Sequence, residues 1–408
     1  MNLISLSPNT EADDIRLAWR ILFKPWLWRK SDVTSRAGQQ LSRHLNHRPV
    51  VLVSSGRAAL FALLKAYNIG AGDEIIIQAF TCLAVPAPIK WVGATPVYAD
   101  ISPQTYNLDP ADVRRKITDK TKAVIIQHTF GIPGPVGELK KLAKENNLIL
   151  IEDTAHALGA TYHGQPVGTL GDAAFFSFGR DKTLSCVFGG AISSTNNNII
   201  NKIKKNQSEL KNPPLIWIKQ QLLHPILFSL ILPLYFKANL GKILLVVFQK
   251  LGFLSKAVEP QEKIGDPPQH VTYKFPAALA YLLSNQLTKL DRYTTHRRLL
   301  AHTYQTAFIN HPGLPRPLDD TKPAWLRFPL LVESPDKIHR VAKQQHILLG
   351  DWYNSPLVPA DCDLESFGYQ LGSCPQAEKA SRQIINLPTH PRMTDEETHK
   401  IIKLINAF

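Results

Sequence analysis

The chain has 408 residues, of which 44% are hydrophobic and 20% charged, as is typical of a globular protein. This length permits one large core with a smaller satellite domain, or two cores. The net charge of +14 indicates acidic partners: nucleic acid, anionic lipid or phosphorylated metabolites. No helix-turn-helix, zinc-finger or RNA-binding signature occurs in the sequence, so we expect no nucleic-acid partner.

The cysteines are widely spaced and include no CxxC pair, and no cluster of His, Cys and Asp shows metal-ligand spacing. The N-terminus lacks the basic start and apolar centre of a signal peptide. We therefore expect a cytoplasmic protein with free thiols and without a metal site. The cysteines concerned are Cys82, Cys186, Cys362 and Cys374.

Residues 1–49 contain a helix-like segment at 11–23 and are predicted to pack against the small C-terminal domain. The segment ILFKPWLWRK (residues 21–30) combines Trp and Phe with Lys and Arg. This composition is typical of segments that lie at a membrane interface.

Residues 50–206 alternate short apolar runs with helical patterns. The runs are rich in β-branched and aromatic residues, as expected of strands covered on both faces. Helices are predicted at 57–67 and 136–146, so the region indicates an α/β domain with a mostly parallel sheet sandwiched by helices. The predicted strands are 50–55, 74–80, 95–100, 123–130, 148–154 and 173–178.

Residues 207–265 are dense in Leu, Ile, Phe and Trp. The longest uncharged stretch, 220–236, is cut by Pro225 and Pro233 and is too short for a bilayer span of about 20 apolar residues. We interpret the segment as a helical insertion that covers the active site or a dimer edge. The alternative is peripheral membrane contact through 21–30 and 213–254.

Residues 266–408 are predicted to form a small α+β domain. Its elements are a long amphipathic helix at 275–308, a strand at 325–332 and a helix at 394–408 that begins after the capping residue Thr394.

Four features of the α/β region suggest a common chemistry. Asp153 ends an apolar strand, Ser177 ends another, and Lys182 follows five residues later beside Gly179. The sequence SSGRAAL takes a strand through Ser55 and Gly56 into a helix, whose first N–H groups can bind phosphate. Each feature alone has an ordinary structural explanation: an exposed lysine, a capping carboxylate or a common α/β turn.

Together these residues match the requirements of pyridoxal phosphate (PLP) chemistry. A lysine forms a Schiff base and moves a proton, and a carboxylate keeps the pyridine nitrogen protonated. A helix start with hydroxyl groups holds the phosphate. Phe80, at the end of the neighbouring strand, either covers the cofactor ring or belongs to the core.

The chain also resembles the DegT-type sugar aminotransferases, PLP enzymes of fold type I, which act on keto-sugars attached to nucleotides. The resemblance extends over about two-thirds of the chain, through SSGRAAL, residues 71–110, TKAVIIQHTFGIPG and IEDTAHALGATYHGQPVGTLGDAAFFSFGRDKTLSCVFGGAISS. It resumes at FPAALAYLLSNQLTKLD and NLPTHPRMTDEE.

This resemblance implies a role for each matching residue. Lys182 would carry the cofactor and Asp153 would bind the pyridine nitrogen. His156 stands where the family usually has the Gln that contacts the ring hydroxyl. Ser177, together with Ser55, Gly56 and the backbone of Arg57, would bind phosphate.

The chain departs from the family pattern at several positions. Arg57 stands where Thr is usual, and Cys82 stands where an aromatic residue often stacks on the ring. An Asn-Tyr-Arg element that reaches the phosphate from the partner subunit is Thr272-Tyr273-Lys274 here, so Lys274 would supply the charge. The 207–265 insertion is absent from typical members.

The resemblance implies a homodimeric aminotransferase that moves an amino group, with glutamate as expected donor, to a keto-sugar for polysaccharide or glycoconjugate synthesis. Relatives that replace the lysine by His perform dehydration, so Lys182 favours transamination. Two alternatives stay open: a PLP-binding regulator or scaffold without turnover, and an aminotransferase that acts on lipid-linked sugar at a membrane surface.

Overall fold

A seven-stranded sheet forms the centre of the protein. The computed structural model describes residues 2–3, 7–235, 237, 239–256 and 258–408. The strands are β1 (Val50–Val53), β2 (Glu74–Gln78), β3 (Thr95–Ala99), β4 (Thr121–Gln127), β5 (Ile149–Asp153), β6 (Ala173–Ser177) and β7 (Gly190–Ser194). Their order across the sheet is β1-β7-β6-β5-β4-β2-β3, and only β7 runs antiparallel to its neighbours.

Helices cover both faces of this sheet. Along β2, Ile75 and Ile77 point into the core that includes α3, whereas Ile76 points into the core that includes α6. This alternation explains the continuous apolar runs, because a strand buried on both faces has no polar side. The helices are α3 (Gly56–Ala66), α4 (Pro86–Trp91), α5 (Pro110–Lys116), α6 (Val136–Glu145) and α7 (Asn197–Glu209).

The six predicted strands and both predicted helices of this region are confirmed, within a few residues at their ends. The seventh strand, β7, lacked a sequence signal because its residues are mainly Gly, Ala and Ser. A Cβ atom on Gly190 would lie 2.5 Å from the backbone of Ser55. The small residue is therefore required where β7 passes the start of α3.

The N-terminal helices α1 (Ala12–Leu22) and α2 (Ser31–Arg43) pack mainly on other helices of the chain. Both contact α10 (Ala277–Leu287), and α1 also lies along α8 (Leu215–Ile231). The contact with the C-terminal part of the chain includes a short parallel pairing of Asn2–Leu3 with Ile347–Leu348.

The segment predicted to be an insertion, residues 207–265, is largely helical. It contains α8 and α9 (Leu240–Lys250), which pack together through a small apolar cluster that includes Phe228, Ile231 and Leu254. The stretch Leu215–Leu234 is long and apolar enough to cross a membrane by length and composition alone. Half of it is buried inside the protein.

The C-terminal region contains helices on a two-stranded sheet. The prediction of a single helix over 275–308 is wrong, since α10 ends and α11 (Leu290–Ala307) begins around Thr288 and Lys289. Lys289 points to the N-terminal segment, where Nζ lies 2.7 Å from Asp13 and 2.9 Å from Asp14. The other elements are β8 (Phe328–Leu331), β9 (Ile384–Leu387), α12 (Pro335–Gln344), α13 (Pro375–Gln383) and α14 (Asp395–Ile405).

Two predicted elements of this region are confirmed. The predicted strand at 325–332 is β8, which pairs antiparallel with β9. The predicted C-terminal helix is α14, and the side chain of Thr394 accepts the N–H of Glu397 as its cap.

Candidate active site

A cavity lies at the carboxyl ends of β5 and β6, beside the start of α3. Parallel strands place their carboxyl ends on one edge of a sheet, where ligands of α/β proteins usually bind. Eight predicted site residues line this cavity, whereas Phe80 and Lys274 do not. The eight are Ser55, Gly56, Arg57, Cys82, Asp153, His156, Ser177 and Lys182.

Lys182 projects from the loop between β6 and β7. Its Nζ lies 5.1 Å from the ring centroid of Trp352. Burial lowers the pKa of Lys182 below its ordinary value, while the carboxylate of Asp153 acts in the opposite direction. A lowered pKa increases the fraction of neutral amine, which is the nucleophilic form.

The loop that carries Lys182 is held by the N-terminal segment. Nδ2 of Asn9 donates hydrogen bonds to the carbonyl oxygens of Lys182 and, at 3.0 Å, Thr183. Arg297 donates to Oδ1 of Asn9 at 2.7 Å, and the backbone N–H of Ser7 donates to Asp181 at 3.1 Å. These contacts position the lysine from outside the sheet.

Asp153 ends β5 and is buried. Its Oδ1 accepts the N–H of Ala155 at 3.0 Å, and none of the ion pairs among the described residues involves this carboxylate. Burial raises the pKa of Asp153 above its ordinary value, partly offset by Lys182. A protonated ring nitrogen in the cavity would supply the missing cationic partner.

His156 faces the same cavity as a neutral side chain. Burial holds the pKa of His156 well below its ordinary value, and the cations Lys182 and Arg327 act in the same direction. Nδ1 accepts the N–H of Phe130 at 3.3 Å, which assigns the ring proton to Nε2. Nε2 lies 3.4 Å from the hydroxyl of Tyr353, so it is a donor towards an oxygen in the cavity.

The start of α3 forms the opposite end of the cavity. The hydroxyl of Ser55 caps this helix by accepting the N–H of Ala58 at 3.1 Å. A Cβ atom on Gly56 would lie 3.0 Å from Cβ of Ser177, so glycine permits the close approach of α3 and β6. The first helical N–H groups, the helix dipole and the Ser177 hydroxyl together form an anion-binding end.

Arg57 and Arg180 add positive charge at this end. Arg57 forms an ion pair with Glu262, a fully buried residue of the insertion segment. Arg180 donates to the hydroxyl of Ser255, lies 5.4 Å from the ring of Phe188, and keeps a buried Nε without a hydrogen-bond partner. Burial lowers the pKa of Arg180 to about 10.

Aromatic side chains that the sequence analysis did not select also line the cavity. The ring of Trp352 stacks on His156 with centroids 5.4 Å apart and an interplanar angle of 11°. The guanidinium carbon of Arg327 lies 3.5 Å from the ring centroid of Trp352. An arginine within the apolar segment WLRFPLLV could have indicated from the sequence that Arg327 has a functional role. No comparable sequence signal marks Trp352.

The family model for the DegT/DnrJ/EryC1/StrS aminotransferases matches residues 9–406. The chain belongs to this aminotransferase family. It is 30% identical to a pleiotropic regulatory protein of Geobacillus stearothermophilus, over 87% of this chain and 83% of that protein. It is 29% identical to dTDP-3-amino-3,6-dideoxy-alpha-D-galactopyranose transaminase of Aneurinibacillus thermoaerophilus, over 87% of this chain and 84% of that protein.

The fold of this family member is also that of solved aminotransferases. The structure of DesV from S. venezuelae superimposes with a TM-score of 0.75 at 23% identity, covering 97% of this chain and 94% of that chain. The fold is therefore fold type I, and the protein is a PLP-dependent aminotransferase, as its family implies.

The residues present fit this cofactor. The buried carboxylate of Asp153 suits a protonated pyridine nitrogen, and Arg180, which lines the same cavity and has a buried Nε without a hydrogen-bond partner, suits a phosphate. Cys82 lines the cavity, whereas Phe80 is fully buried and lies 5.3 Å from Tyr353, centroid to centroid, within an aromatic cluster. Phe80 is thus placed behind the cavity wall.

Lys274 lies apart from the cavity of its own chain. Its backbone N–H donates to the carbonyl oxygen of Lys211 at 2.9 Å, next to the bridge between Lys211 and Tyr273. The ring of Tyr273 contacts Trp217 at 5.9 Å. In this family member, the Thr272-Tyr273-Lys274 element is therefore attached to the base of the insertion.

Proposed function

We propose that this enzyme transfers the amino group of glutamate to a keto-sugar carried on a nucleotide, with Lys182 as the catalytic residue. The observation that carries the proposal is the convergence of Asp153, Ser177, Lys182 and the start of α3 on one cavity. The name of the Aneurinibacillus relative, a dTDP-aminosugar transaminase, supports a nucleotide-linked sugar as the substrate class.

In this proposal Lys182 acts as both nucleophile and proton carrier. When bound, the cofactor supplies an electrophilic carbon and an electron-withdrawing ring that stabilises negative charge on the neighbouring atoms. As a neutral amine, Nζ of Lys182 would accept the proton of the donor α-carbon and deliver it to the cofactor carbon that is bound to the same nitrogen. The lowered pKa of Lys182 favours the neutral amine that this step requires.

Asp153 and His156 hold protons at two fixed atoms. The carboxylate of Asp153 keeps a proton on the ring nitrogen, while the N–H of Ala155 orients its other oxygen. Nε2–H of His156 donates towards the ring oxygen beside the reacting carbon, in the role that Gln has in most of the family. The stacked rings of His156 and Trp352 exclude water from this side of the cavity.

The anion-binding end would bind the phosphate and takes no part in the proton transfer. The N–H groups at Gly56 and Arg57, the hydroxyl of Ser177 and the guanidinium of Arg180 surround this end. We further propose that Lys274 reaches the phosphate of the partner subunit in a homodimer. A product of this reaction suits polysaccharide or glycoconjugate synthesis.

The half-reaction with glutamate tests the proposal. The purified holoenzyme should lose its visible absorption band when glutamate is added, and a keto-sugar nucleotide should restore the band. Lys182→Ala should bind PLP without this conversion, whereas Lys205→Ala, which alters an exposed lysine, should behave as the parent enzyme. Borohydride treatment followed by peptide mass spectrometry should locate the cofactor on Lys182.

Each arm of this experiment has a refuting result. Full turnover by Lys182→Ala would overturn the assignment of the catalytic lysine. Conversion by another amino acid but not by glutamate would overturn the proposed donor. An enzyme that binds PLP but converts with no amino acid would act as a regulator or scaffold instead.

A further inference from the structure

The positive charge of the protein is concentrated in two segments. Residues 15–31 contain five Lys and Arg, residues 211–258 contain six Lys, and neither segment contains Asp or Glu. The two segments together carry eleven of the fourteen excess positive charges of the chain. None of the ion pairs among the described residues neutralises these side chains.

Helix α9, in the second segment, presents an apolar stripe to solvent. Leu240, Ile243 and Val247 are exposed at helical spacing, and Leu251, which follows the helix, is 63% exposed. The opposite side of α9 is also apolar and packs against α8 through Leu244, Leu245 and Phe248. An exposed apolar stripe of this length, on a helix whose opposite side is already buried, is typical of a surface that a further apolar phase covers.

The first segment exposes aromatic residues. Trp19 and Phe23 stack on the solvent side of α1 with centroids 5.5 Å apart, and Phe23 and Trp26 are each 71% exposed. Arg20, Lys24 and Arg29 are exposed beside them. Trp and Phe together with Lys and Arg are typical of helices that lie in the headgroup region of a bilayer.

Helix α8 packs against both α1 and α9. Its Ile218 and Leu222 share a core with Ala18 and Ile21 of α1, and its Phe228 shares a cluster with α9. We define the basic apolar face by its exposed apolar side chains. They are Trp19, Phe23, Trp26, Leu240, Ile243, Val247 and Leu251.

We propose that the basic apolar face docks this enzyme on the surface of an anionic lipid bilayer. This inference goes beyond the proposed function, which concerns only the reaction. The absence of Asp and Glu from both segments complements a negatively charged surface and opposes contact between two identical copies of the face. The apolar side chains then enter the region between headgroups and acyl chains.

The contacts of α8 favour docking over membrane spanning. Nε2 of His224 lies 2.7 Å from the hydroxyl of Ser7, and Gln221 accepts the hydroxyl hydrogen of Ser255 at 2.9 Å. Both polar side chains are buried against the protein, so α8 cannot leave it without losing these hydrogen bonds.

The same contacts of α8 connect the basic apolar face to the active site. Ser7 donates through its backbone N–H to Asp181, and Ser255 accepts from Arg180, so α8 reaches the two residues before Lys182. Docking therefore places the active-site loop one helix layer from the bilayer surface. A sugar attached to a lipid carrier becomes reachable in this position, as does a nucleotide-linked sugar from solution.

Flotation of the PLP-loaded enzyme with vesicles tests this proposal. The enzyme should float with vesicles of phosphatidylcholine and phosphatidylglycerol. A much smaller fraction of the enzyme should float with vesicles of phosphatidylcholine alone. A triple variant of α9 and its end should reduce the partition coefficient by at least about tenfold. The variant is Ile243→Gln, Val247→Gln, Leu251→Gln, and its matched control at other exposed apolar positions is Leu299→Gln, Ile309→Gln, Leu371→Gln.

A charge-reversal pair separates the electrostatic contribution. Lys219→Glu with Lys250→Glu should reduce binding to anionic vesicles, whereas Lys144→Glu with Lys343→Glu changes the net charge equally at exposed sites elsewhere. Far-ultraviolet circular dichroism and the half-reaction with glutamate verify that each variant is folded. Because both readouts are made without vesicles, a failure of docking is distinguishable from a failure of the proposed function.

Several results would overturn the proposal. The parent enzyme could remain at the bottom of the gradient at low salt with anionic vesicles. The control variants could lose binding as much as the variants of the face. Light scattering could show that the α9 variant falls from a dimer to a monomer, in which case the face is a subunit interface.

Discussion

Glu262→Gln is the substitution whose effect follows most directly from the structure. Glu262 is fully buried and forms an ion pair with Arg57, whose side chain is 10% exposed at the phosphate end of the cavity. Oε1 of Glu262 also accepts the N–H of Glu259 at 2.7 Å, and a glutamine can keep that hydrogen bond. The variant therefore removes the negative charge, and the oxygen that accepts from Arg57 becomes an NH2 group that cannot accept.

Removing one partner of a buried ion pair costs about 3–5 kcal/mol. For 408 residues, an unfolding entropy of about 2.1 cal/mol/K per residue converts this cost to about 4–6 °C in Tm. The loss should be smaller with PLP bound, because the guanidinium of Arg57 can then pair with the phosphate. The affinity for PLP should rise for the same reason.

Scanning calorimetry of the enzyme with and without PLP, together with a PLP titration, measures both effects. Asp361→Asn is the matched control, since its ion pair with Lys263 in the same region is exposed and should leave Tm unchanged. An equal loss of Tm in both forms, or weaker PLP binding by the variant, would refute the proposed role of Arg57 at the phosphate end.

Three further outcomes are expected. The rate at which the apoenzyme binds PLP should rise with pH, and the midpoint of this rise should lie below the pKa of an ordinary lysine because burial lowers the pKa of Lys182. Stopped-flow absorbance should show a higher midpoint for Arg327→Met and a lower midpoint for Asp153→Asn. Burial holds the pKa of His224 well below its ordinary value, so the unfolded chain binds more protons below about pH 6.5 and stability falls there. His224→Gln should reduce that slope by up to about 1.4 kcal/mol per pH unit, measured by urea denaturation at two pH values. Asn9→Ala should lower kcat about tenfold with little change in KM, because Asn9 holds the loop of Lys182 but does not line the cavity; equal changes in both constants would contradict a positioning role.

The sequence by itself predicted the central strands, the flanking helices and the core of the site. Strands β1 to β6 could be predicted because burial on both faces requires continuous apolar runs in the sequence. The positions of Asp153, Ser177 and Lys182 were readable because strand ends and the loops after them are local features. The capping residue Thr394 was readable for the same reason.

Only the tertiary structure decided how distant parts of the chain meet at the cavity. Trp352 and Tyr353 reach it from the C-terminal region, and Arg57 pairs with a carboxylate 205 residues away. The break between α10 and α11 at Lys289 likewise accompanies an ion cluster with the N-terminal segment. No local pattern encodes these contacts, because each depends on which surfaces the packed core brings together.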